Sequence, residues 1–203
     1  MFKSPRYPTS LAEAEEFVAG QHHGTLIATS PDGFPQVTIL PFVKRDDLIE
    51  VHIVQADSTF RAICVNPKVT FLVSDFLAFT PHDWVDPSDG GRGTLHFRAV
   101  AYECEATPIT EPAAVAEVMA RLVAAYEPGR EYPPIQDDDF YGARLRRLGA
   151  VRLRVVNTHA KFKLGPAEPV DVKLRVAGHL RERNEPNDRR AADVIEEYVH
   201  RGS

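Results

Sequence analysis

Residues 51–61, Val-His-Ile-Val-Gln-Ala-Asp-Ser-Thr-Phe-Arg, hold a complete change of structure within one turn of chain. The β-prone run Val51–Val54 gives way to polar residues, and Asp57 or Ser58 can then cap a short helix. Phe60, Ile63 and Cys64 fall on the apolar side of that helix. Asn66-Pro67 stops it, because the residue before a proline avoids the helical region. Backbone N–H groups at a helix start, the Ser58 and Thr59 hydroxyls and the Arg61 guanidinium together suit a phosphate. The same residues also permit a plainer reading, in which Ser58 only caps the helix and Arg61 lies on a solvated face. The fragment alone leaves both open.

Upstream, short β-prone runs alternate with turns. Thr25–Thr29 reads as a first strand, and Ser30-Pro31-Asp32-Gly33 as a turn in which proline presets φ and glycine accepts a positive one. Gln36–Val43 is a second strand, Lys44–Asp47 a turn and Leu48–Val54 a third strand, the spacing of an antiparallel meander or barrel. Ahead of them, Ser10 and Glu13 form a capping box that opens a helix through Ala19, ended by Gly20. Downstream, Val69–Val73 is a fourth strand and Phe76–Thr80 a further extended piece. Pro81–Gly93 is a polar loop, and Thr94–Ala106 a long alternating strand. Pro112 starts a helix over Ala113–Tyr126. A basic helix, Phe140–Leu148, then leads into the strand Ala150–Val156 and the extended segment Lys161–Leu164. Val170–Arg183 and Asp188–His200 are amphipathic terminal helices. The pattern predicts a mainly β fold with flanking helices (α+β): one domain over 1–165 with helical insertions, and a helical extension over 166–203 packed on it.

The composition narrows the function. With 43% hydrophobic and 26% charged residues the 203-residue chain is an ordinary globular one, long enough to bury a core without disulfides. A net charge of −5 counts against DNA as the main partner. Cys64 and Cys104 stand far apart in sequence, outside metal or redox spacing. The start, MFKSPRYPTS, has no apolar signal core, and nowhere do about 18 apolar residues run together, so a cytoplasmic location without membrane is expected. Gly90-Gly91-Arg92-Gly93 leads into a strand rather than a helix, which excludes a Rossmann fingerprint. No P-loop or nucleophile elbow occurs, and the scattered histidines show no metal spacing; adjacent His22 and His23 on a strand would face opposite ways. A nucleotide-like cofactor would need another scaffold.

Such a scaffold is suggested by the order of segments. GTLIATSPDGFPQVTILPFV, then IEVHIVQADSTFRAICVNP, then VTFLVSD resembles the FMN-binding split β-barrels, which include pyridoxamine-phosphate oxidase-like and flavin reductase-like proteins. The narrower resemblance is to the PaiB-like family of FMN-binding transcriptional regulators. It is carried by HIVQADSTFRAI (His52–Ile63), AFTPHDW (Ala78–Trp84), Thr94-Leu95-His96-Phe97 and Ala160-Lys161-Phe162-Lys163-Leu164, and continues through Ala177-Gly178-His179-Leu180. The chain departs from that family at Asp57, where the family has asparagine, and at Leu95-His96, where it has tryptophan–asparagine. It departs again at Gly165-Pro166-Ala167, in place of serine–glutamine–asparagine.

The resemblance implies a homodimer that holds FMN at its interface. Val37, Thr38, Ile39 and Leu40 would line the ring mainly through backbone groups. Ser58, Thr59 and Arg61 would take the phosphate, within a segment that also brings His52 and Phe60. Thr94 and His96, with Trp84 and Lys161, would complete the site. For each there is a structural counterpart: barrel core for 37–40, an outward strand position for His96, a loop anchor for Trp84 and a solvated charge for Lys161. The resemblance also implies DNA as a regulatory partner. A flavin-dependent oxidoreductase using NAD(P)H is a second reading. A haem-binding split barrel with His96, His159 or His179 as axial ligand is a third.

Overall fold

The Ser10–Glu13 capping box forms as its spacing requires: the Ser10 backbone N–H and hydroxyl both meet Glu13 Oε2 at 2.7 Å, and the Glu13 N–H donates to Ser10 Oγ. Helix α1, Leu11–Ala19, follows it directly. The structure is a computed structural model and describes residues 8–165 and 168–201. Pro166 and Ala167, and the sequence up to Tyr7, therefore lie outside the described residues. Besides two 3-10 turns, His82–Trp84 and Gly90–Arg92, within the expected loop, the remaining elements are β1 (Gly24–Thr29), β2 (Pro35–Leu40), β3 (Val43–Arg45), β4 (Leu48–Val54) and α2 (Ser58–Val65). After them come β5 (Lys68–Thr80), β6 (Thr94–Ile109), α3 (Pro112–Tyr126), α4 (Gly142–Leu145), β7 (Leu148–Lys163), α5 (Val170–Arg183) and α6 (Asp188–Arg201).

The strands form one seven-stranded sheet in the order β2-β1-β5-β6-β7-β4-β3. β1 pairs antiparallel with β2 and β5, and β4 antiparallel with β3 and β7. The described chain divides into two compact units. One comprises Ser74–Val100 with the segments up to Ala14 and from Ala160 onward; the other comprises Glu15–Val73 and Ala101–His159. Both terminal helices belong to the first unit.

Several elements are longer or shorter than the sequence suggests, each for a local reason. The run Gln36–Val43 is not one strand: β2 stops at Leu40 and β3 starts at Val43. Pro41 has no N–H for a ladder, and the Phe42 N–H donates instead to the Tyr126 hydroxyl at 3.0 Å. Val69–Val73 and Phe76–Thr80 fuse into the single strand β5. Asp75, which breaks the apolar pattern, is buried and ion-paired to Arg98 at 2.7 Å and Arg190 at 2.6 Å. The same happens in β7, which runs unbroken through 157–160. There Asn157 and His159 bond across to Glu103 at 2.8 and 3.0 Å. Polar residues that look like punctuation are cross-strand pairs. The expected helix Phe140–Leu148 shrinks to α4, because Leu148 is claimed by its strand pairing with Val54. Cys64 is exposed, not on the apolar side of α2; Cys104 is buried.

The core of the second unit carries one buried charge. Glu50 on β4 accepts from Arg121 Nε and Nη2 at 2.7 and 2.9 Å and from Arg152 Nε at 2.9 Å. Burial by itself opposes its ionisation, but the two arginines together outweigh it and hold its pKa below the ordinary value. A depressed carboxylate pKa contributes stability that is present above the ordinary range and lost as pH falls through the folded value. Glu50→Gln is therefore expected to cost about 2 kcal/mol in urea unfolding at neutral pH, with the gap to wild type closing in acid.

Candidate functional site

The hand-over from β4 to α2 is built by backbone first. The Gln55 N–H donates to the Arg147 carbonyl at 3.0 Å and its side-chain amide to the Leu148 carbonyl at 2.7 Å, which fixes where the strand ends. Asp57 is the residue that caps α2. Its side chain accepts from the Thr59 N–H at 2.7 Å, and its carbonyl accepts from the Arg61 N–H at 3.1 Å. The Ser58 hydroxyl is left exposed, so the reading of Ser58 as the cap does not hold. Thr59 is fully buried, its hydroxyl 2.7 Å from that of Thr38, which also approaches the Asp57 carboxylate at 3.4 Å. One turn therefore joins β4, α2 and β2.

Phe60 is buried against Gly149, where a Cβ would stand 2.6 Å from the ring; its side chain is packing. Arg61 is exposed and makes no ion pair among the described residues. His52 on β4 is half-buried, burial lowers its pKa, and its Nδ1 is buried without a hydrogen-bond partner.

Among the described residues β2 ends the sheet order and pairs with β1 alone. Its side chains alternate: Val37 and Ile39 are 60% and 68% exposed, Thr38 turns toward α2, and Leu40 is buried. A barrel-core role thus fits Leu40 and fails for Val37 and Ile39. Cross-strand from Val37 lies half-buried Ile27, extending the apolar strip onto β1.

The other four expected site residues belong to the first unit. The Trp84 ring lies 5.1 Å from His179 of α5, with the Arg183 guanidinium 5.0 Å over its face. Lys161 Nζ stands 5.9 Å from the centre of the Phe97 ring. His96 is not outward-facing: it is only 3% exposed, with Nε2 at 3.0 Å from the Thr80 hydroxyl and Nδ1 buried without a partner. Thr94 and His96 line a cavity of about 240 Å³ together with Thr80, Lys163 and Lys173. Thr80 and Lys163 lie inside the motifs Ala78–Trp84 and Ala160–Leu164 without having been singled out as site residues, and Lys173 lies in no motif. Of the histidines considered as axial haem ligands, His96 and His159 each use Nε2, with Thr80 and Glu103, and leave Nδ1 without a partner, while His179 Nδ1 lies 3.4 Å from Glu182. Among the described residues no cluster of His, Cys, Asp or Glu could hold a metal ion, and no helix is long and apolar enough to cross a membrane.

Desolvation, and then the charge of Lys163, push the His96 pKa down from 6.5 to about 4. Between these values the unfolded chain binds a proton that the folded chain does not, so stability falls as pH drops through that window. His96→Gln should flatten this slope, removing up to ~3 kcal/mol of the pH dependence seen in urea unfolding between neutral pH and the folded pKa. An unchanged slope would show that His96 titrates normally.

Solved structures share this architecture. A conserved hypothetical protein, Rv2991, of Mycobacterium tuberculosis superposes with a TM-score of 0.58 at 21% identity, over 83% of this chain and 94% of that one. An FAD- and heme-binding protein of Mycobacterium smegmatis gives 0.61 at 15%, over 83% and 78%. The flavocytochrome Anf3 of Azotobacter vinelandii gives 0.59 at 17%, over 83% and 79%. The fold is the split β-barrel of flavin-binding proteins. A search of the curated proteins found no match. Residues 1–157 match the family described as "Putative FMN-binding domain", and the chain belongs to that family, whose cofactor is FMN.

Proposed function

We propose that two copies of this chain hold FMN at their common interface and act as a PaiB-type regulator whose state follows the flavin. The observation that carries this reading is the pairing of an apolar strip with an uncompensated cation. Val37 and Ile39 stand exposed on the edge strand β2, and Arg61 lies exposed in the first turn of α2, the helix that Thr38 of β2 meets through Thr59, without a counter-ion among the described residues. A flavin has these two ends, a flat ring and a phosphate.

The residues fit the group, with one amide of the helix start already taken. The Asp57 carboxylate already takes the Thr59 N–H, so that amide is not offered to a phosphate. Thr59 itself, buried against Thr38, positions β2. The phosphate then falls to Arg61 and Ser58, with the guanidinium offsetting the charge of Asp57. The unpaired edge of β2 supplies backbone N–H and C=O groups for the polar rim of the ring. His52 adds a buried nitrogen in need of a partner. When bound, FMN supplies hydride and single-electron chemistry; the chain supplies position, electrostatics and exclusion of water.

Purification tests the reading directly: the protein should be yellow, release FMN on denaturation and elute as a dimer. Arg61→Ala is expected to weaken FMN binding by roughly tenfold to a hundredfold, the loss of a charge-assisted bond, while Lys161→Ala changes it by no more than about twofold. Equal losses would refute the phosphate assignment. Ile39→Asp should yield a monomer with little flavin, since it sets a charge in the proposed seam. The regulatory part stands on a salt-sensitive shift of promoter DNA. Steady consumption of NADH or NADPH would instead mark an oxidoreductase.

A further inference from the structure

The cavity around His96 is built wholly within the first unit and takes no side chain from α2 or β2. Its volume of about 240 Å³ lies below the roughly 300–1,000 Å³ usual for pockets that take drug-sized ligands, so its occupant is a small molecule. Two features give that occupant a charge. Lys163 and Lys173 both line the cavity, and neither has an ion pair among the described residues. Burial lowers the pKa of both; the charge of Lys161 adds to this for Lys163, and Glu168 opposes it for Lys173. The nearby carboxylate, Glu168, is bound by Arg92 at 2.8 Å. In addition His96, 3% exposed, presents a buried Nδ1 that nothing satisfies. Arg92 and Glu168 themselves line the cavity with Thr80 and Thr94, so its cations outnumber its one carboxylate; its apolar part is Val85, Leu164, Val176 and Ile195.

We propose that this cavity binds a small organic carboxylate, its charged end held by Lys163 and Lys173 and by a hydrogen bond from His96 Nδ1, its hydrocarbon part against Val176 and Ile195. An anionic acceptor selects the His96 tautomer with hydrogen on Nδ1, in which Nε2 accepts from the Thr80 hydroxyl. Because the lining draws Lys173 and Val176 from α5 and Ile195 from α6, the occupant joins both terminal helices to β5, β6 and β7. The cavity uses Thr94 and His96, which the resemblance had given to the flavin, and none of the residues to which the phosphate is assigned, Ser58 and Arg61.

Calorimetric titration of the full-length protein with benzoate, acetate and inorganic phosphate tests this. Benzoate should bind saturably and more tightly than acetate, since only it fills the apolar lining. Lys163→Ala and Lys173→Ala should each weaken benzoate by roughly tenfold, and His96→Gln by a few-fold with circular dichroism unchanged. Arg61→Ala should leave benzoate binding as it was. Absence of saturable benzoate binding, or equal binding by the lysine variants, would overturn the proposal. So would preference for phosphate over both carboxylates, which would assign a phosphate site. Displacement of benzoate by added FMN would overturn it too, by making the cavity part of a flavin site.

Discussion

The contact on which the candidate site depends is small: two threonine hydroxyls, Thr38 on β2 and Thr59 on α2, 2.7 Å apart and closed off by the Asp57 cap. Asp57 fixes the first turn of α2, and Thr59, fully buried, can satisfy its hydroxyl only through a partner inside. Thr38 meets that need and in doing so sets the face that β2 turns inward. Strand alternation then leaves Val37 and Ile39 no choice but to point out. The exposed apolar strip and the outward Arg61 are consequences of one hydrogen-bonded corner.

Buried charge is handled in the same economical way in both units. Glu50 is met by Arg121 and Arg152, and Asp75 by Arg98 and Arg190, each carboxylate surrounded on two sides by guanidinium donors. Such clusters do not add much net stability, but removing one member strands the others, which makes register errors costly. Against that background three buried imidazole nitrogens are without a hydrogen-bond partner, Nδ1 of His52, of His96 and of His159.

Local chemistry was readable from residues alone: the Ser10–Glu13 box, the helix at 58–65 with its Asn66-Pro67 stop, and the terminal helices at 170–183 and near 188–200 all form where their caps and periodicity put them. What misled was polarity inside strands. Asp75, Asn157 and His159 look like turn residues, and each is instead paired with a residue distant in sequence, so β5 and β7 run twice as far as they read. His96 could be placed on a strand but not on a face, since burial depends on Thr80 and the lysines around it.

The sequence by itself determined the types of most elements, the place of the short helix after β4 and an FMN-binding family, because these rest on propensities, on hydrogen bonds spanning a few residues, and on the order of motifs. Only the tertiary structure decided that Asp57 rather than Ser58 holds the helix start, that Val37 and Ile39 face outward while Thr59 does not, and that Lys173 of α5 shares a cavity with His96 of β6. Those outcomes turn on which groups lose their water when distant segments close together, and desolvation is a property of the packed chain rather than of any stretch of it.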